Sequence, residues 1–284
     1  MSVRVFAPAK INLTLEVGRP RSDGYHPLQS VVMFAAVGDW IEAAPADDLS
    51  LTISGPFAEG LPADATNLVL RAARLLDPAR GAAISLEKNL PVASGIGGGS
   101  SDAAAALQAL NELWALGHGE QDLVRLAAKL GADVPVCVCR RSAWISGTGE
   151  TVTAMRATPL HAVLVNPGEP LPTPAVYRRF DETGRGGAFE RRDAPGWAAL
   201  DEAVEAILRH GNDLEVPACT LIPELTDVLG ALRRDARSLC ASLSGSGATC
   251  FALAGSAGDA ASMAADIAAS NAAWWVRATI LGAT

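Results

Sequence analysis

The sequence predicts an α+β protein of two domains, and its length and the order of its patterns support this class. Its 284 residues are enough for two ordinary domains, each with its own core. Strand patterns dominate the start of the chain, helical patterns follow, and the two then mix without a regular strand–helix repeat. A doubly wound parallel sheet would show that repeat, so the order favours α+β. We place the boundary between residues 150 and 160, which gives domains of 1–155 and 156–284.

The first domain opens with strands. In residues 11–17 every odd position is apolar, which is the pattern of a strand buried on one face. A turn at residues 19–24 precedes further strand patterns at residues 28–37, 38–44 and 49–54.

A helix and a strand come next. Either Thr66 or Asn67 can cap a helix over residues 68–77, and Pro78 ends it. The short strand predicted at residues 82–88 leads directly into a segment rich in glycine and serine.

Two helices and a return to strands complete the first domain. The helices are predicted over residues 102–116 and 121–131. Residues 131–150 are predicted to form strands, with Cys137 and Cys139 on one strand face because side chains alternate with a period of two.

The second domain begins with a strand at residues 161–168. Residues 182–196 are polar and rich in glycine and arginine, which predicts a mobile loop. The remaining patterns predict helices at 197–211 and 221–235, a strand–turn–strand unit at 238–255, a final helix, and a strand at 274–281.

Composition and charge limit the class of partner. With 49% hydrophobic and 19% charged residues, the chain has the composition of a globular protein. Its formal net charge is −8 and it has no long run of Lys or Arg, which argues against nucleic acid or an anionic membrane as the main partner. A pocket for an anionic small molecule needs only a few local cations and stays compatible with this charge.

The cysteines and the apolar runs indicate the compartment. The chain has 5 cysteines, an odd number, and no C-x-x-C pair, which favours reduced core cysteines in the cytosol. It also lacks the apolar region of a signal peptide and a membrane-spanning apolar run. We therefore expect a cytoplasmic protein with no membrane partner.

The segment PVASGIGGGSSDAAAAL at residues 91–107 lies between a predicted strand and a predicted helix. Glycines let backbone N–H groups approach an anion, and the start of a helix adds unpaired donors and a positive dipole end. The segment lacks the G-K-[ST] ending of a P-loop and does not match G-x-G-x-x-G. From the residues alone, a phosphate-binding loop and a plain loop both remain open.

Three segments in order resemble one kinase superfamily. PVASGIGGGSSDAAA resembles the phosphate loop of the superfamily named for galactokinase, homoserine kinase, mevalonate kinase and phosphomevalonate kinase (GHMP). PAKINL at residues 8–13 resembles its first motif, and LSGSGATCF at 243–251 resembles its third. The resemblance implies a two-domain small-molecule kinase fold with the active site in the cleft between the domains.

Further segments narrow the resemblance to one branch of the superfamily. RSDGYHPLQSV follows PAKINL, and LGADVP occupies residues 130–135. They resemble the branch that moves the γ-phosphoryl of ATP to the tertiary 2-hydroxyl of a CDP-linked methylerythritol in non-mevalonate isoprenoid synthesis. The alternatives are a homoserine or mevalonate type of kinase, and a catalytically inactive relative that only binds nucleotide.

The resemblance assigns catalysis to Lys10 and Asp133. Asp133 would be the general base, and Lys10 the cation that pairs with it and orients the acceptor hydroxyl. A carboxylate beside a cation is a weak base, so transfer would depend mainly on positioning and electrostatics. Outside the motifs, Asp133 would be an ordinary turn residue and Lys10 a solvated side chain.

The resemblance also implies contacts to the CDP-linked substrate. Tyr25 and Tyr177, the only 2 tyrosines, can stack on a cytosine, although half-buried packing is the alternative for each. His26 would read the polar edge of the base, and Asn12 would hydrogen-bond the substrate. The third motif would stiffen the site or contact the diphosphate through Gly245, Ser246 and Gly247.

The nucleotide side is expected to follow the glycine-rich segment. Mg²⁺ is expected with ATP because the transferred phosphate needs its charge neutralised, and Ser101 is the suggested protein ligand. The chain is expected to be a monomer or a homodimer. The predicted ATP-binding residues are Pro91, Val92, Ala93, Ser94, Gly95, Ile96, Gly97, Gly98, Gly99, Ser100 and Ser101, with Lys88 and Asn67 toward the adenosine.

Overall fold

The computed structural model describes residues 1–184, 186 and 189–283. Its described helices and strands are numbered in chain order. They are β1 (Val3–Asn12), β2 (Glu16–Val17), β3 (Leu28–Ala44), β4 (Leu49–Ser54), α1 (Leu68–Leu76), β5 (Ala82–Glu87), α2 (Gly98–Leu113), α3 (Glu120–Ala127), α4 (Val134–Cys139), β6 (Ala143–Ser146), β7 (Thr151–Ala154), β8 (Leu160–Asn166), α5 (Thr173–Thr183), α6 (Leu200–His210), α7 (Glu215–Leu221), α8 (Glu224–Arg234), β9 (Ser238–Leu243), β10 (Cys250–Ala254), α9 (Ala257–Ser270) and β11 (Trp275–Leu281).

The chain folds into two compact units, and each is built from separate segments. The first unit comprises Met1–Lys10, Val37–Val92 and Gly97–Arg140. The second unit comprises Ile11–Ala36, Ala93–Ile96 and the described residues from Arg141 onward. The sequence predicts a single boundary, between residues 155 and 156. That boundary stays a prediction. Reading along a chain cannot show that it enters each unit more than once.

In the first unit, β5 lies between β4 and the second half of β3. Leu49 pairs with Ala82 in the parallel β4–β5 ladder, and Trp40 pairs with Glu87 in the antiparallel β3–β5 ladder. Helix α2 packs against α1, α3 and α4. Residues 103–106 of α2 are alanines without exposed surface, and their small side chains let neighbouring backbones approach closely.

In the second unit, β8 lies between β10 and β11. Val163 pairs with Ala252 on one side and with Ala278 on the other, both antiparallel. β10 continues to β9, and helices α8 and α9 pack on these strands. The first half of β3 pairs with β2 and β6. The buried side chains of these elements form a continuous core.

Most predicted elements are confirmed, and some boundaries differ. Helix α1 is capped by Asn67 rather than Thr66, because the Asn67 side chain accepts a hydrogen bond from the Val69 N–H. The strand predicted over 11–17 is interrupted: β1 ends at Asn12 and β2 begins at Glu16. Of the loop predicted at 182–196, residues 185, 187 and 188 lie outside the described part of the chain.

The strand prediction for residues 134–139 is wrong, since these residues form helix α4. Val134, Val136 and Val138 are all buried there. A short run of buried apolar residues has the same sequence pattern in a strand and in a helix, so the pattern does not separate the two. Pro135 lies in the first turn, where a missing N–H costs nothing. Cys137 and Cys139 therefore do not share a strand face.

None of the helices in the described part of the chain is long and apolar enough to cross a membrane.

Candidate active site

Lys10 and Asp133 form an ion pair within the first unit. The Lys10 ammonium donates to Oδ1 of Asp133 at 2.8 Å. The Lys10 side chain is 5% exposed, whereas the Asp133 side chain is 48% exposed. Asp133 is the N-cap residue of α4, but its carboxylate makes no capping hydrogen bond. The carboxylate is therefore fixed by one cation and open to solvent, where it can accept a proton.

The Lys10 side chain runs beside the start of α2. Gly97 caps this helix with a positive φ of 64°. A Cβ at Gly97 would lie 3.1 Å from Cβ and 3.2 Å from Cε of Lys10, so glycine leaves the space that the lysine occupies. The fold thus places the Lys10 ammonium, and the Asp133 carboxylate paired with it, near the beginning of α2.

The start of α2 is open to an anion. The helix has no side-chain cap, and its first backbone bond runs from the Ser101 N–H to the Gly97 carbonyl, at 2.9 Å. The N–H groups of residues 98–100 precede that bond and have no acceptor within the helix. Such donors, with the positive end of the helix dipole, favour a phosphate.

Ser101 fastens α2 to β1. Its hydroxyl is buried and donates to the Pro8 carbonyl at 2.6 Å. Its oxygen also lies 3.4 Å from Sγ of Cys137, and burial raises the pKa of that thiol to about 12. The hydroxyl suggested as a metal ligand is therefore engaged inside the unit. Among the described residues, no group of three or more His, Cys, Asp or Glu side chains could hold a metal ion.

Lys88 and Asn67 also have partners within the protein. The buried Lys88 ammonium donates to Asp39 at 2.5 Å and to Asp102 at 2.7 Å. The Asn67 side chain caps α1 and donates to the Pro62 carbonyl at 2.7 Å. The structure thus gives both side chains a structural role, and their predicted contacts to adenosine stay predictions.

In the second unit, residues 93–96 of the glycine-rich segment dock on the turn of the third motif. Gly95 has a φ of +73°, and a Cβ there would lie 2.4 Å from the Ser244 carbonyl oxygen. The Thr249 N–H donates to the Ser94 carbonyl at 2.9 Å, and the Leu171 N–H donates to the Ala93 carbonyl at 3.0 Å. These contacts fix the backbone of the segment on both sides of Gly95.

Ser244 connects this turn to the first motif. Its hydroxyl oxygen accepts from the Asn12 N–H at 3.1 Å, and the hydroxyl donates to the Gly95 carbonyl at 3.1 Å. The Asn12 side chain donates to the buried Ser30 hydroxyl at 2.7 Å. One serine therefore holds together residues from all three motifs.

The third-motif turn is held from outside by two side chains. Asn212 donates to the carbonyls of Leu243 and Gly245, each at 2.8 Å. The hydroxyls of Ser246 and Thr173 lie 2.8 Å apart. Gly245 and Gly247 both have positive φ, which glycine adopts at low cost. The turn is rigid because its carbonyl groups already have donors.

An aromatic cluster lies elsewhere in the second unit. The His26 and Tyr177 ring centroids are 5.0 Å apart, and Phe180 approaches His26 edge-on at 6.0 Å. Nε2 of His26 lies 2.8 Å from Oδ1 of Asp181. Tyr25, adjacent to His26 in sequence, is 66% exposed. The Tyr25 ring is therefore accessible to a planar base.

Comparison with known proteins identifies the family. The model of the GHMP kinase N-terminal domain matches residues 67–141, and that of the GHMP kinase C-terminal domain matches residues 194–273. A 4-diphosphocytidyl-2-C-methyl-D-erythritol kinase of Hyphomonas neptunium is 47% identical over 99% of this chain and 97% of its own. The chain belongs to the 4-diphosphocytidyl-2-C-methyl-D-erythritol kinase family of the GHMP kinases.

Other GHMP kinases agree with this membership. The enzyme of the same name from Ruegeria pomeroyi is 48% identical over 97% of this chain and 98% of its own. A crystal structure of 4-(cytidine 5'-diphospho)-2C-methyl-D-erythritol kinase superposes with a TM-score of 0.78 at 35% identity, covering 99% of this chain and all of its own. Homoserine kinase from Cytophaga hutchinsonii shares the fold, with a TM-score of 0.71 at 20% identity over 98% of this chain and 94% of its own.

The predicted loop residues of this GHMP kinase divide by exposure. Pro91, Ser94, Ile96 and Ser101 are buried and anchor the segment. The others have exposed or partly exposed surface, on which a ligand can lie: Val92, Ala93, Gly95, Gly97, Gly98, Gly99 and Ser100.

Several residues of the site were not predicted from the sequence. Ser244 stands one residue before the predicted Gly245, in a turn where nothing distinguishes one serine from another. Asp39 lies inside the mostly apolar strand β3. An aspartate in such a strand indicates a buried, paired carboxylate, and this was the signal that could have identified it. Asp181 and Asn212 carry no local pattern, because their partners are distant in sequence.

Proposed function

We propose that this chain transfers the γ-phosphoryl group of ATP to the 2-hydroxyl of 4-diphosphocytidyl-2-C-methyl-D-erythritol, in the synthesis of isoprenoid precursors. The observation that carries the proposal is the Lys10–Asp133 pair beside the uncapped start of α2. It places a base, a cation and phosphate-binding N–H groups in one compact unit. Family membership supplies the reaction class, an ATP-dependent small-molecule kinase.

The reaction needs one proton acceptor and one phosphoryl group held in place. Asp133 takes the proton of the acceptor hydroxyl while that oxygen attacks the γ-phosphorus, and the bond from phosphorus to the bridging oxygen of ADP breaks. Lys10 holds the carboxylate and offsets the negative charge of the transferring group. In phosphoryl transfer, positioning and electrostatic stabilisation supply most of the rate enhancement.

The glycine-rich segment holds the phosphates of ATP. The N–H groups of residues 98–100, at the start of α2, have no acceptor within the helix and can donate to phosphate oxygens. Residues 93–96 are fixed by hydrogen bonds to the third-motif turn, so the loop does not have to be ordered when ATP binds.

The cytidine group is proposed to contact the aromatic cluster. Tyr25 offers an exposed ring, and Tyr177 is fixed against His26. Stacking of a base on an aromatic side chain contributes about 1–3 kcal/mol. Asp181 contacts Nε2 of His26 and so restrains the orientation of its ring.

Mg²⁺ is proposed to arrive with ATP. The residues present do not fit a metal site built by the protein around Ser101, because its hydroxyl is buried and bonded to Pro8. Mg²⁺ commonly takes most of its ligands from substrate phosphates and water. No step above depends on a protein ligand to the metal.

A cytoplasmic location and a monomeric or homodimeric state remain proposals. All 5 cysteines are free thiols, which agrees with a reducing compartment.

An acceptor panel tests the proposed function. Purified protein is incubated with ATP and, separately, with the CDP-linked alcohol, homoserine or mevalonate, and ADP release is measured. We expect release with the CDP-linked alcohol only. Phosphorylation of homoserine or mevalonate instead would assign another kinase activity. ATP binding without turnover on any acceptor would favour an inactive relative.

A further inference from the structure

A second charged cluster is buried in the first unit, and the mechanism above does not use it. Asp39 is 0% exposed, and Lys88 and Asp102 are each 3% exposed. The Lys88 ammonium lies between the two carboxyl groups, 2.5 Å from Asp39 and 2.7 Å from Asp102. Charged groups are rarely buried this completely unless they are paired, because removing them from water is costly.

Asp39 holds the chain where the glycine-rich segment begins. Its Oδ1 accepts from the N–H groups of Asn89 at 2.6 Å and Leu90 at 2.8 Å, the two residues before Pro91. The opposite oxygen, Oδ2, is bound to Lys88. One carboxylate thus ties the backbone at the start of the segment to the lysine.

Asp102 and Gly98 place the same lysine at the start of α2. Asp102 lies near the start of α2, and its Oδ2 accepts from Lys88. A Cβ at Gly98, the first residue of α2, would lie 3.0 Å from the Lys88 nitrogen. The lysine therefore links the beginning of the segment, through Asp39, to the start of α2, through Asp102.

We infer that Asp39 and Lys88 are positioning residues that hold the beginning of the glycine-rich segment and the start of α2 at the separation that ATP phosphates require. This inference rests on the proposed function, because it takes ATP as the ligand of that segment. Lys88 then acts inside the protein and does not contact the nucleotide, in contrast to its predicted contact with the adenosine.

Burial and the neighbouring charges shift the pKa values of Asp102 and Lys88 in this cluster. Burial raises the pKa of Asp102, and the neighbouring Asp39 carboxylate raises it further, against the opposing effect of Lys88. Burial opposes the charge of Lys88, but the two carboxyl groups outweigh it and raise its pKa. A proton on Asp102 lowers the negative charge of the buried cluster. A neutral cluster is the form that a buried site tolerates.

Two substitutions separate positioning from direct contact with ATP. Asp39→Asn puts an amide in place of the carboxylate, so Lys88 faces either a donor or a weaker neutral acceptor and the charged link to the start of the segment is lost. Lys88→Met removes the bridge but leaves buried carboxyl groups without a cation, and this variant can fail to fold. The double variant Asp39→Asn with Lys88→Met removes both the cation and one carboxylate. The effect of losing Lys88 can therefore be measured in this variant even if Lys88→Met alone does not fold.

The measurement is steady-state kinetics with ATP and the CDP-linked alcohol, alongside thermal unfolding. We expect Asp39→Asn to raise KM for ATP about tenfold, because displaced phosphate donors bind less well, with KM for the alcohol changed by less than about twofold. The double variant should match Asp39→Asn to within about twofold, because lysine acts through the aspartate. A merely structural role would lower Tm and the active fraction without separating the two KM values.

Glu87→Gln is the matched control. Glu87 precedes Lys88 on β5 and pairs with Arg4, but both side chains are about half exposed. We expect wild-type KM values and Tm for this variant, because exposed pairs contribute little.

Two results would overturn the inference. One is an unchanged KM for ATP in Asp39→Asn. The other is a KM for ATP in the double variant about tenfold above that of Asp39→Asn, which would place Lys88 on the nucleotide. Wild-type protein that does not use ATP at all would instead overturn the proposed function, so the two failures are distinguishable.

Discussion

The ammonium of Lys10 lies 2.8 Å from the carboxylate of Asp133, although 123 positions separate them in the sequence. The lysine is buried and the carboxylate is half exposed. The lysine therefore fixes the pair within the protein, and the carboxylate stays accessible to solvent. Because Asp133 does not cap α4 with its side chain, the fold does not need this carboxylate for the helix. Its position is therefore consistent with a chemical role.

Asp133→Asn should lower kcat by about 10²–10⁴-fold, since the amide cannot accept the hydroxyl proton. ATP affinity should stay near wild type, because the N–H groups at the start of α2 are unchanged. Single-turnover rates and nucleotide titration measure the two effects. Wild-type turnover in this variant would remove Asp133 from the mechanism.

Gly95→Ala and Gly99→Ala should change stability in opposite directions. A Cβ at Gly95 would meet the Ser244 carbonyl oxygen at 2.4 Å, at a residue with positive φ, so the docked segment must shift. At Gly99 the nearest atom is Cδ1 of Leu68 at 3.8 Å, an ordinary contact within a helix. We expect a clear fall in Tm for Gly95→Ala and a gain of about 0.4–1 kcal/mol for Gly99→Ala. Equal Tm values would contradict the docking of residues 93–96.

Ser101→Ala should destabilise the protein by about 1–3 kcal/mol, because the buried Pro8 carbonyl loses its donor. The Mg²⁺ concentration that gives half-maximal activity should not change. Urea unfolding and a Mg²⁺ titration of the rate provide the two measurements. Ser270→Ala is the control for stability, since its hydroxyl donates to a carbonyl on the exposed face of α9. A large rise in the Mg²⁺ requirement would make Ser101 a ligand.

Asp102→Asn should alter how stability depends on pH. Burial raises the pKa of Asp102 from its ordinary value of 3.8 to about 8. Between these values the unfolded chain releases the proton and the folded protein keeps it, so folded wild type loses stability as pH rises from about 4 to 8. The asparagine has no proton to lose. Its free energy of unfolding, relative to wild type, should therefore increase across this interval.

Urea unfolding at several pH values checks this trend. Asp64→Asn serves as the control, because a hydrogen bond from the Thr66 side chain lowers the pKa of that exposed carboxyl and moves its titration below this interval. A constant difference between wild type and Asp102→Asn from pH 4 to 8 would show that Asp102 is ionised throughout.

Local patterns were sufficient for much of the fold. Helix α1 follows from a capping residue, a periodic apolar run and a terminating proline, all within residues 66–78. Strands β5, β8, β9 and β10 follow from short apolar runs between turn residues. Helix α4 did not, because five of its six residues are buried and no polar residue interrupts the run, so the run has no readable period.

The sequence by itself determined the order of the three motifs and, through their resemblance to the GHMP kinases, the pair Lys10 and Asp133. Only the tertiary structure decided what Lys88 and Ser244 do. The Lys88 partners lie 49 and 14 positions away, and Ser244 is 232 positions from Asn12. In the sequence, a lysine or serine in or near a motif looks the same whether it faces a ligand or the interior. Its burial and its partners arise only from long-range packing, and these contacts determine whether its charge or hydroxyl remains available.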